Sequence, residues 1–513
     1  MVKMVYQTFV YLLTVVICGC NSAKILGVVP TPSYSHQVPF QPIWKELSLR
    51  GHQVTTITTN PIGDPSLVNL TEINVNSSYA IWNKRAATVT KFGSFRFLLS
   101  FAKILNEFGD NLFTHPQVDA LINNHTETFD VVMVEFVTLS SFPFAERFNC
   151  PSIALMSFQP PNFLNSLVGN PNHVVLFPDP YLPEGELSLG QGIVHFIFYL
   201  LTRMIQWIFL LNTEQKIVDK YFGTHYPPLE DVLKNISIVL TNSDPILHKP
   251  RPLMPNIIQI GGKVNRLPTK PLLQDIESKL NSSTDGFIYF SLGSNVKSKD
   301  LAEEMLTTIL ETFAELPYTI LWKFEKDILP NKPDNVITQK WLPQPIILNH
   351  PNIKLFIMQG GLQSTEEAIY ARVPVVVMPF FGDQVANADG IRTKGFGLVV
   401  DYHTLEKGEF KKTILEVIKN PIYKDTVTKF ADLAEDQPMT GLEKAIWWTE
   451  YVIRHKGAKH LRSPILDVPS YRYFMLDIIA VIILVLIIIA FVLIFLIKQL
   501  FKRIFKQKKV KTN

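Results

Sequence analysis

Two short apolar runs, residues 354–358 (KLFIM) and 373–378 (VPVVVM), flank a glycine pair and a helical stretch, and this arrangement leaves the chain few folds to choose from. Runs rich in β-branched residues with no polar alternation are buried on both faces, as in a parallel sheet. Parallel neighbours need a crossover, and residues 364–371 predict a helix for it. Between strand and helix stands Gln359-Gly360-Gly361. Glycines there let a ligand approach the backbone, and the open N–H groups of the helix start favour an anion such as a diphosphate. In outline this is a strand–loop–helix phosphate site, an arrangement that α/β enzymes of many kinds share.

The same alternation extends to both sides. Residues 24–29 (KILGVV) predict a first buried strand, followed by a loop, a helix running to about residue 49, a turn at Arg50-Gly51-His52 and a strand at 54–58. Strands at 129–135 and 152–156 continue the pattern. Prolines then cluster between residues 245 and 271 (HKPRPLMPN, LPTKP), as expected of a linker. A second alternation predicts strands at 287–290, 319–323, 336–338, 355–358, 375–378 and 398–400. At 513 residues the chain is long enough for two α/β domains, each with its own core. Two doubly wound sheets place their sites at the carboxyl ends of the strands, so the expected site is a cleft between them. Residues 192–211 are apolar but interrupted by His195, Arg203 and Gln206. They read either as helices buried in the first domain or as a segment lying against a membrane.

The ends of the chain are hydrophobic. Residues 478–497 are twenty apolar residues without a charge. As a helix they extend about 30 Å, the thickness of a bilayer core. Lys498, Lys502, Arg503, Lys506, Lys508, Lys509 and Lys511 follow, and a basic flank stays cytosolic. Residues 1–23 carry Lys3, an apolar run at 9–18 and small residues at Ser22 and Ala23, the pattern of a cleaved signal peptide. Together these predict a single-pass type I membrane protein with its bulk in the lumen and residues 498–513 as a basic cytosolic tail. Residues 509–513 resemble a dilysine signal for return to the endoplasmic reticulum. Removing the seven tail cations from a net charge of +4 leaves the remainder slightly acidic, which argues against a nucleic-acid partner. Sequons at Asn69, Asn76, Asn124, Asn235 and Asn281 fit a lumenal chain. Cys150 stands alone once Cys18 and Cys20 leave with the signal, so no disulfide scaffold is expected.

Within residues 341–384 the pieces WLPQ, FIMQGG, a glutamate six positions beyond the second glycine, and a proline-flanked strand ending in DQ fall in fixed order. This resembles the signature of the UDP-glycosyltransferases, the family of microsomal glucuronosyl- and glucosyltransferases, and the likeness extends over nearly the whole chain. The resemblance implies an α/β GT-B fold, with residues 24–244 as acceptor domain, 245–271 as linker and 272–440 as UDP-sugar domain. Residues 441–477 would be helices crossing back over the first domain, ahead of the membrane span. Trp341 would stack on uracil, and Gln344 would bond the uracil or ribose edge. Ser294, in the loop SLGSN, would meet the diphosphate with Gln359, Gly360, Gly361 and Ser364. Gln359 stands where most members carry a histidine, and Gln363 where asparagine is usual. Glu367 would take the ribose hydroxyls, although Ser364-Thr365-Glu366-Glu367 also reads as a capping box. Asp383 and Gln384 would hold the transferred sugar, although Asp383 also fits a helix cap.

His36, in the loop after the first strand, coincides with the family's catalytic base, and an imidazole suits removal of a hydroxyl proton near neutral pH. The family's partner carboxylate is an aspartate; in FDVVMVE the position is held by Glu135. The implied reaction is an inverting transfer of a hexose, glucose in preference to glucuronate, to a small lipophilic alcohol or phenol. No cofactor is implied beyond the UDP-sugar co-substrate, and no metal, since the chain contains no Asp-x-Asp. The departures at Gln359 and Glu135 leave a second reading, a lumenal binding protein of the same fold with weakened chemistry. The sequence leaves a homo-oligomer open.

Overall fold

The computed structural model describes residues 22–89, 94–179, 182, 188–262 and 271–510. Most of the signal-peptide reading (1–21), part of the linker (263–270) and the end of the tail (511–513) lie outside the described residues. Seven strands build the first sheet: β1 (Lys24–Val29), β2 (Gln53–Thr58), β3 (Leu70–Asn74), β4 (Val131–Glu135), β5 (Ser152–Met156), β6 (Ile238–Thr241) and β7 (Ile257–Gln259). They are all parallel, in the order β3-β2-β1-β4-β5-β6-β7. Six more build the second: β8 (Phe287–Ser291), β9 (Thr319–Lys323), β10 (Val336–Gln339), β11 (Ile353–Met358), β12 (Val375–Val377) and β13 (Gly397–Val399). Their order is β10-β9-β8-β11-β12-β13, again all parallel.

The chain order reverses between β1 and β4 in one sheet and between β8 and β11 in the other. At such a point the two connections leave in opposite directions and open a crevice above the strand ends. All four candidate loops sit there. The His36 loop follows β1 and Glu135 ends β4; the Ser294 loop follows β8 and Gln359-Gly360-Gly361 follows β11.

Helices cover both faces of each sheet, so every central strand is buried on both sides, as the near-continuous apolar runs require. Helix α1 (Gln41–Leu49) lays Trp44 against β1 so closely that a Cβ on Gly27 would come within 2.9 Å of the indole. In the second domain Trp322 is fully buried, 4.8 Å from the Phe290 ring, with its Nε1 donating to Ser298 Oγ at 3.0 Å. Truncating it to alanine would cost about 3–5 kcal/mol through lost transfer energy and a cavity.

The stretch at 192–211 is part of one long helical rod. Helix α2 (Leu189–Ile205) continues through a π turn (Gln206–Leu210) into α3 (Leu211–Tyr221). By length and composition it is apolar enough to cross a membrane. Yet His195, Thr202, Ile205, Gln206, Glu214, Ile217 and Val218 are buried in the first domain, while Trp207 and Phe209 are exposed.

In the second domain, α4 (Leu362–Tyr370) follows β11 and α5 (Gln384–Lys394) follows β12. Helix α6 (Gly441–His455) begins with a capping box: Thr440 accepts from the Glu443 N–H, and Glu443 accepts from the Thr440 N–H. Its Ala445, Ile446 and Val452 join Val29, Trp44 and Leu47 in the first domain's core, so the chain returns to the domain it left.

One expectation is corrected, two strands are added and one expectation holds. The stretch read wholly as linker holds β7, so the first sheet extends to Gln259. β3 (LTEIN) and β6 (IVLT) were not anticipated. β3 lies at an edge and carries polar residues on its open side, which blurs the signal of a buried strand. The unit Ser463–Asn513 is separate and is dominated by α7 (Leu476–Val510). That helix contains the expected 478–497 span, reaches a mean hydropathy of 3.8 and exposes its described side chains throughout.

Candidate active site

The two switch points face one cavity of about 860 Å³. Of the thirteen candidate residues it is lined by His36, Ser294, Trp341, Gln344, Gln359, Gly361, Gln363, Ser364, Asp383 and Gln384. Glu135 and Glu367 lie just behind the lining, bonded to His36 and Gln344, which reach it, and Gly360 stands between the lining residues Gln359 and Gly361.

On the first-domain wall, His36 sits in a single helical turn, Tyr34–Gln37. Its Nδ1 lies 2.5 Å from Oε1 of Glu135, and the carboxylate is completely buried. The other carboxylate oxygen accepts from Thr31 Oγ1. A carboxylate on Nδ1 keeps the proton there and leaves Nε2 as the basic nitrogen. The extra methylene of Glu135, compared with aspartate, is accommodated with the pair intact. Phe158 packs edge-on to the imidazole at 5.8 Å. Gln37, buried beside the histidine, holds the loop by donating to Val29 O and Thr31 O and accepting from Thr58 Oγ1. Neither Thr31 nor Gln37 was singled out in the sequence, since hydroxyls and amides in loops carry no pattern of their own.

On the second-domain wall, α4 begins at Leu362 with Gly361 as N-cap, and Thr365 N–H bonds Gly361 O at 3.0 Å. The helix starts two residues earlier than expected, so Ser364 belongs to its first turn and the capping-box alternative for residues 364–367 falls away. The N–H groups of that first turn have no carbonyl to bond within the helix and open toward the cavity. Gly360 has φ +84, and a Cβ there would press on Val377 at 2.8 Å. Gly293, φ +77, faces the Gln359 amide, which a Cβ would meet at 2.4 Å. These two glycines let the loops after β8 and β11 close on each other. Gln359 Oε1 is buried with no partner.

Gln344 Nε2 donates to Ser364 Oγ (3.0 Å) and to Glu367 Oε2 (2.5 Å), so Glu367 reaches the cavity through Gln344. Trp341 is 58% exposed. Tyr34 from the first domain meets its ring edge-on at 5.4 Å, and Lys323 Nζ lies 5.5 Å from its centre. Lys323, also missed in the sequence, bonds Gly293 O and Glu325, both at 2.9 Å, and lines the cavity. Gln363 Nε2 crosses the cleft to Ser35 O and Ser157 O, both at 3.0 Å, so this amide joins the domains.

Asp383 precedes α5, but its side chain makes no capping bond; it accepts from Asn387 Nδ2 at 2.9 Å. The same amide donates to Gly360 O, tying the start of α5 to the glycine loop after β11. Burial pushes the Asp383 carboxyl above the usual carboxylate range, against the opposing pull of Asn387 and the nearby His36. Gln384 Oε1 accepts from Phe380 and Phe381 N–H, so contact with a sugar falls to its Nε2.

Comparison with known proteins bears on the fold and the family. Among solved structures, the calicheamicin glycosyltransferase CalG4 superposes with a TM-score of 0.57 at 17% identity, covering 85% of this chain and all of that one. The glycotransferase of kitacinnamycin gives 0.56 at 17%, over 84% and 98%. These likenesses establish the GT-B fold. In sequence, "UDP-glycosyltransferase UGT5" of Dactylopius coccus is 33% identical over 92% of both chains. An "Ecdysteroid UDP-glucosyltransferase" of Spodoptera littoralis nuclear polyhedrosis virus is 33% identical over 90% of this chain and 94% of its own. Human "UDP-glucuronosyltransferase 2B7" is 29% identical over 90% of each. The family model described as UDP-glucoronosyl and UDP-glucosyl transferase matches residues 23–511. With the imidazole–carboxylate pair, the open helix start and the glycine loops all in one cleft, the chain belongs to that family and is a UDP-glycosyltransferase.

Proposed function

We propose that the chain moves glucose, in preference to glucuronate, from a UDP-sugar to the hydroxyl of a small lipophilic alcohol or phenol, with inversion at the anomeric carbon. The observation that carries this reading is that His36, held from behind by Glu135, lines the same cavity as the first turn of α4. The acceptor oxygen attacks the anomeric carbon as its proton passes to His36 Nε2. The bond from that carbon to the diphosphate oxygen breaks on the opposite face, and UDP leaves with the electron pair. An α-linked donor gives a β-glycoside. Glu135 balances the charge that the imidazole gains, and the α4 N–H groups with Ser294 receive the charge on the leaving oxygen.

The sugar assignment rests on charge. Among the described residues lining the cavity, Lys323 is the one fixed cation, and Glu325 already pairs with it. A glucuronate carboxylate would meet Asp383 and find no second cation; a glucose hydroxymethyl group needs none. The glucosyltransferase name of the viral relative supports the same choice. Trp341 serves uracil, Gln344 and Glu367 the ribose, and Asp383 with Gln384 the sugar hydroxyls. No metal or other cofactor enters the reaction. A carrier that kept the fold without the chemistry gains no support from relatives named as transferases.

We place the enzyme in the endoplasmic reticulum membrane as a single-pass type I protein with lumenal domains. The supports are the signal-like residues 1–23, the apolar α7 and its basic flank. Asn76, Asn124, Asn235 and Asn281 are exposed for glycosylation, whereas Asn69 donates to Ser48 O.

Microsomes carrying the full chain, offered UDP-glucose and UDP-glucuronate in parallel with a mixed phenol set, test the reading by released UDP. Release with UDP-glucose should exceed release with UDP-glucuronate by about tenfold, the discrimination expected of one unpaired carboxylate. Equal rates, or the reverse preference, would refute the sugar assignment.

A further inference from the structure

We propose that Gln206 donates a hydrogen bond to the acceptor substrate and selects lipophilic hydroxyl compounds that carry a second oxygen besides the one glycosylated. The inference rests on the transferase reading of the cavity and narrows its acceptor class.

Gln206 opens the π turn in the rod that walls the first-domain side of the cavity. Single π turns within α-helices are rare and recur at functional sites, because the extra residue re-aims a side chain. The side chain is 2% exposed, yet Nε2 has no partner among the described residues. The amide's orientation is settled by its neighbour: Arg203 Nη1 donates to Oε1 at 2.9 Å, and a guanidinium only donates. The oxygen end therefore faces Arg203, and the N–H₂ end is the one left over.

Protein groups nearby do not serve it. The same wall is lined by Leu105, Phe108, Ile205 and Leu210, all apolar. Thr202, the other polar side chain of this rod in the lining, donates to Tyr199 O and receives no bond from Gln206. A buried donor in apolar surroundings is costly unless something fills it, and the filler has to enter through the cavity. The partner is a hydrogen-bond acceptor on an otherwise apolar ligand: a carbonyl, ether or hydroxyl oxygen. That atom is assigned as a second one, besides the oxygen presented to His36: His36 stands in the turn after β1 with Glu135 and Phe158, and Gln206 in the helical rod with Arg203.

The matched pair 4-hydroxybenzophenone and 4-benzylphenol, which differ by one carbonyl oxygen, tests this by calorimetric binding to the full-length detergent-solubilised protein with UDP present. At pH 6.5 both phenols are largely neutral. The wild type should bind the ketone about tenfold more tightly. Gln206→Leu should abolish that preference while leaving 4-benzylphenol and UDP affinities within about twofold. Gln206→Glu, which keeps an oxygen for Arg203 and replaces the donor, should also abolish it and guards against a folding defect in the leucine variant. The proposal is overturned if the wild type shows no preference, if the preference survives in both variants, or if both ligands weaken alike. A binding preference that behaves as expected in protein releasing no UDP would count against the catalytic reading and in favour of this one.

Discussion

The two walls of the cleft spend their polar groups differently. On the first-domain side one imidazole, backed by a buried carboxylate, forms a complete pair, and around it the lining is largely apolar. On the second-domain side nearly every polar group is already bonded to a neighbour: Gln344 to Ser364 and Glu367, Asp383 to Asn387, Lys323 to Gly293 and Glu325, Gln363 across to Ser35 and Ser157. A nucleotide-sugar presents a constant set of hydrogen-bonding groups, so a wall of satisfied groups exchanges internal bonds for ligand bonds with little reorganisation. A lipophilic acceptor contributes mainly apolar area, which is non-directional and tolerant of shape. On the proposed reading, chemistry on one wall depends on one pair, whereas binding on the other is shared among many contacts.

The sharpest attempt to break this contrast is His36→Ala. Loss of a general base should lower kcat by about 10²–10⁴-fold, while calorimetric UDP affinity stays unchanged. Glu135→Gln should lose about a hundredfold, because the wrong tautomer is then held on Nδ1; Glu135→Asp should recover part of it. A His36→Ala enzyme that kept most of its rate would remove the pair from the mechanism.

Trp341→Ala probes the opposite wall. Loss of base stacking should weaken UDP by about ten- to a hundredfold, with kcat at saturating donor nearly unchanged. A fall in kcat equal to the rise in donor KM would instead mean that Trp341, through Tyr34, sets the approach of the two domains.

The smallest effect is thermodynamic. Glu214 accepts from Ser140 N–H behind the acceptor wall, and burial pushes its carboxyl up to about 7, partly offset by that bond. Between about pH 4.5 and 7 the folded protein holds a proton that the unfolded chain has released, so this contribution is full at low pH and is lost as pH rises through 7. Glu214→Gln keeps an acceptor for Ser140 and cannot ionise. Its Tm should exceed wild type by a few degrees at pH 8 and match it near pH 5.

The nucleotide wall was the more legible one because its residues are nearly contiguous, running from Trp341 to Gln384 through two strands and two helix starts. What misled there was local grammar. Ser364-Thr365-Glu366-Glu367 satisfies a capping-box pattern, but Gly361 supplies the first carbonyl of α4, and that sets the helix start. Asp383 stands where a cap would, yet Asn387 takes its carboxylate. The edge strand β7 was hidden by flanking prolines, which mark turns without saying what lies between them.

The sequence by itself determined the parallel sheets, the glycine turns and the hydrophobic C-terminal helix, because these follow from periodicity, φ preference and unbroken apolar length within short windows. Tertiary structure alone decided that Gln363 bridges the domains, that Lys323 turns toward Gly293, and that Gln206, in the cavity lining, is left with a buried donor unpartnered among the described residues. Those outcomes depend on which groups become buried together across long sequence separations. A buried donor's choice of partner is a property of the packed neighbourhood, which composition and spacing do not encode.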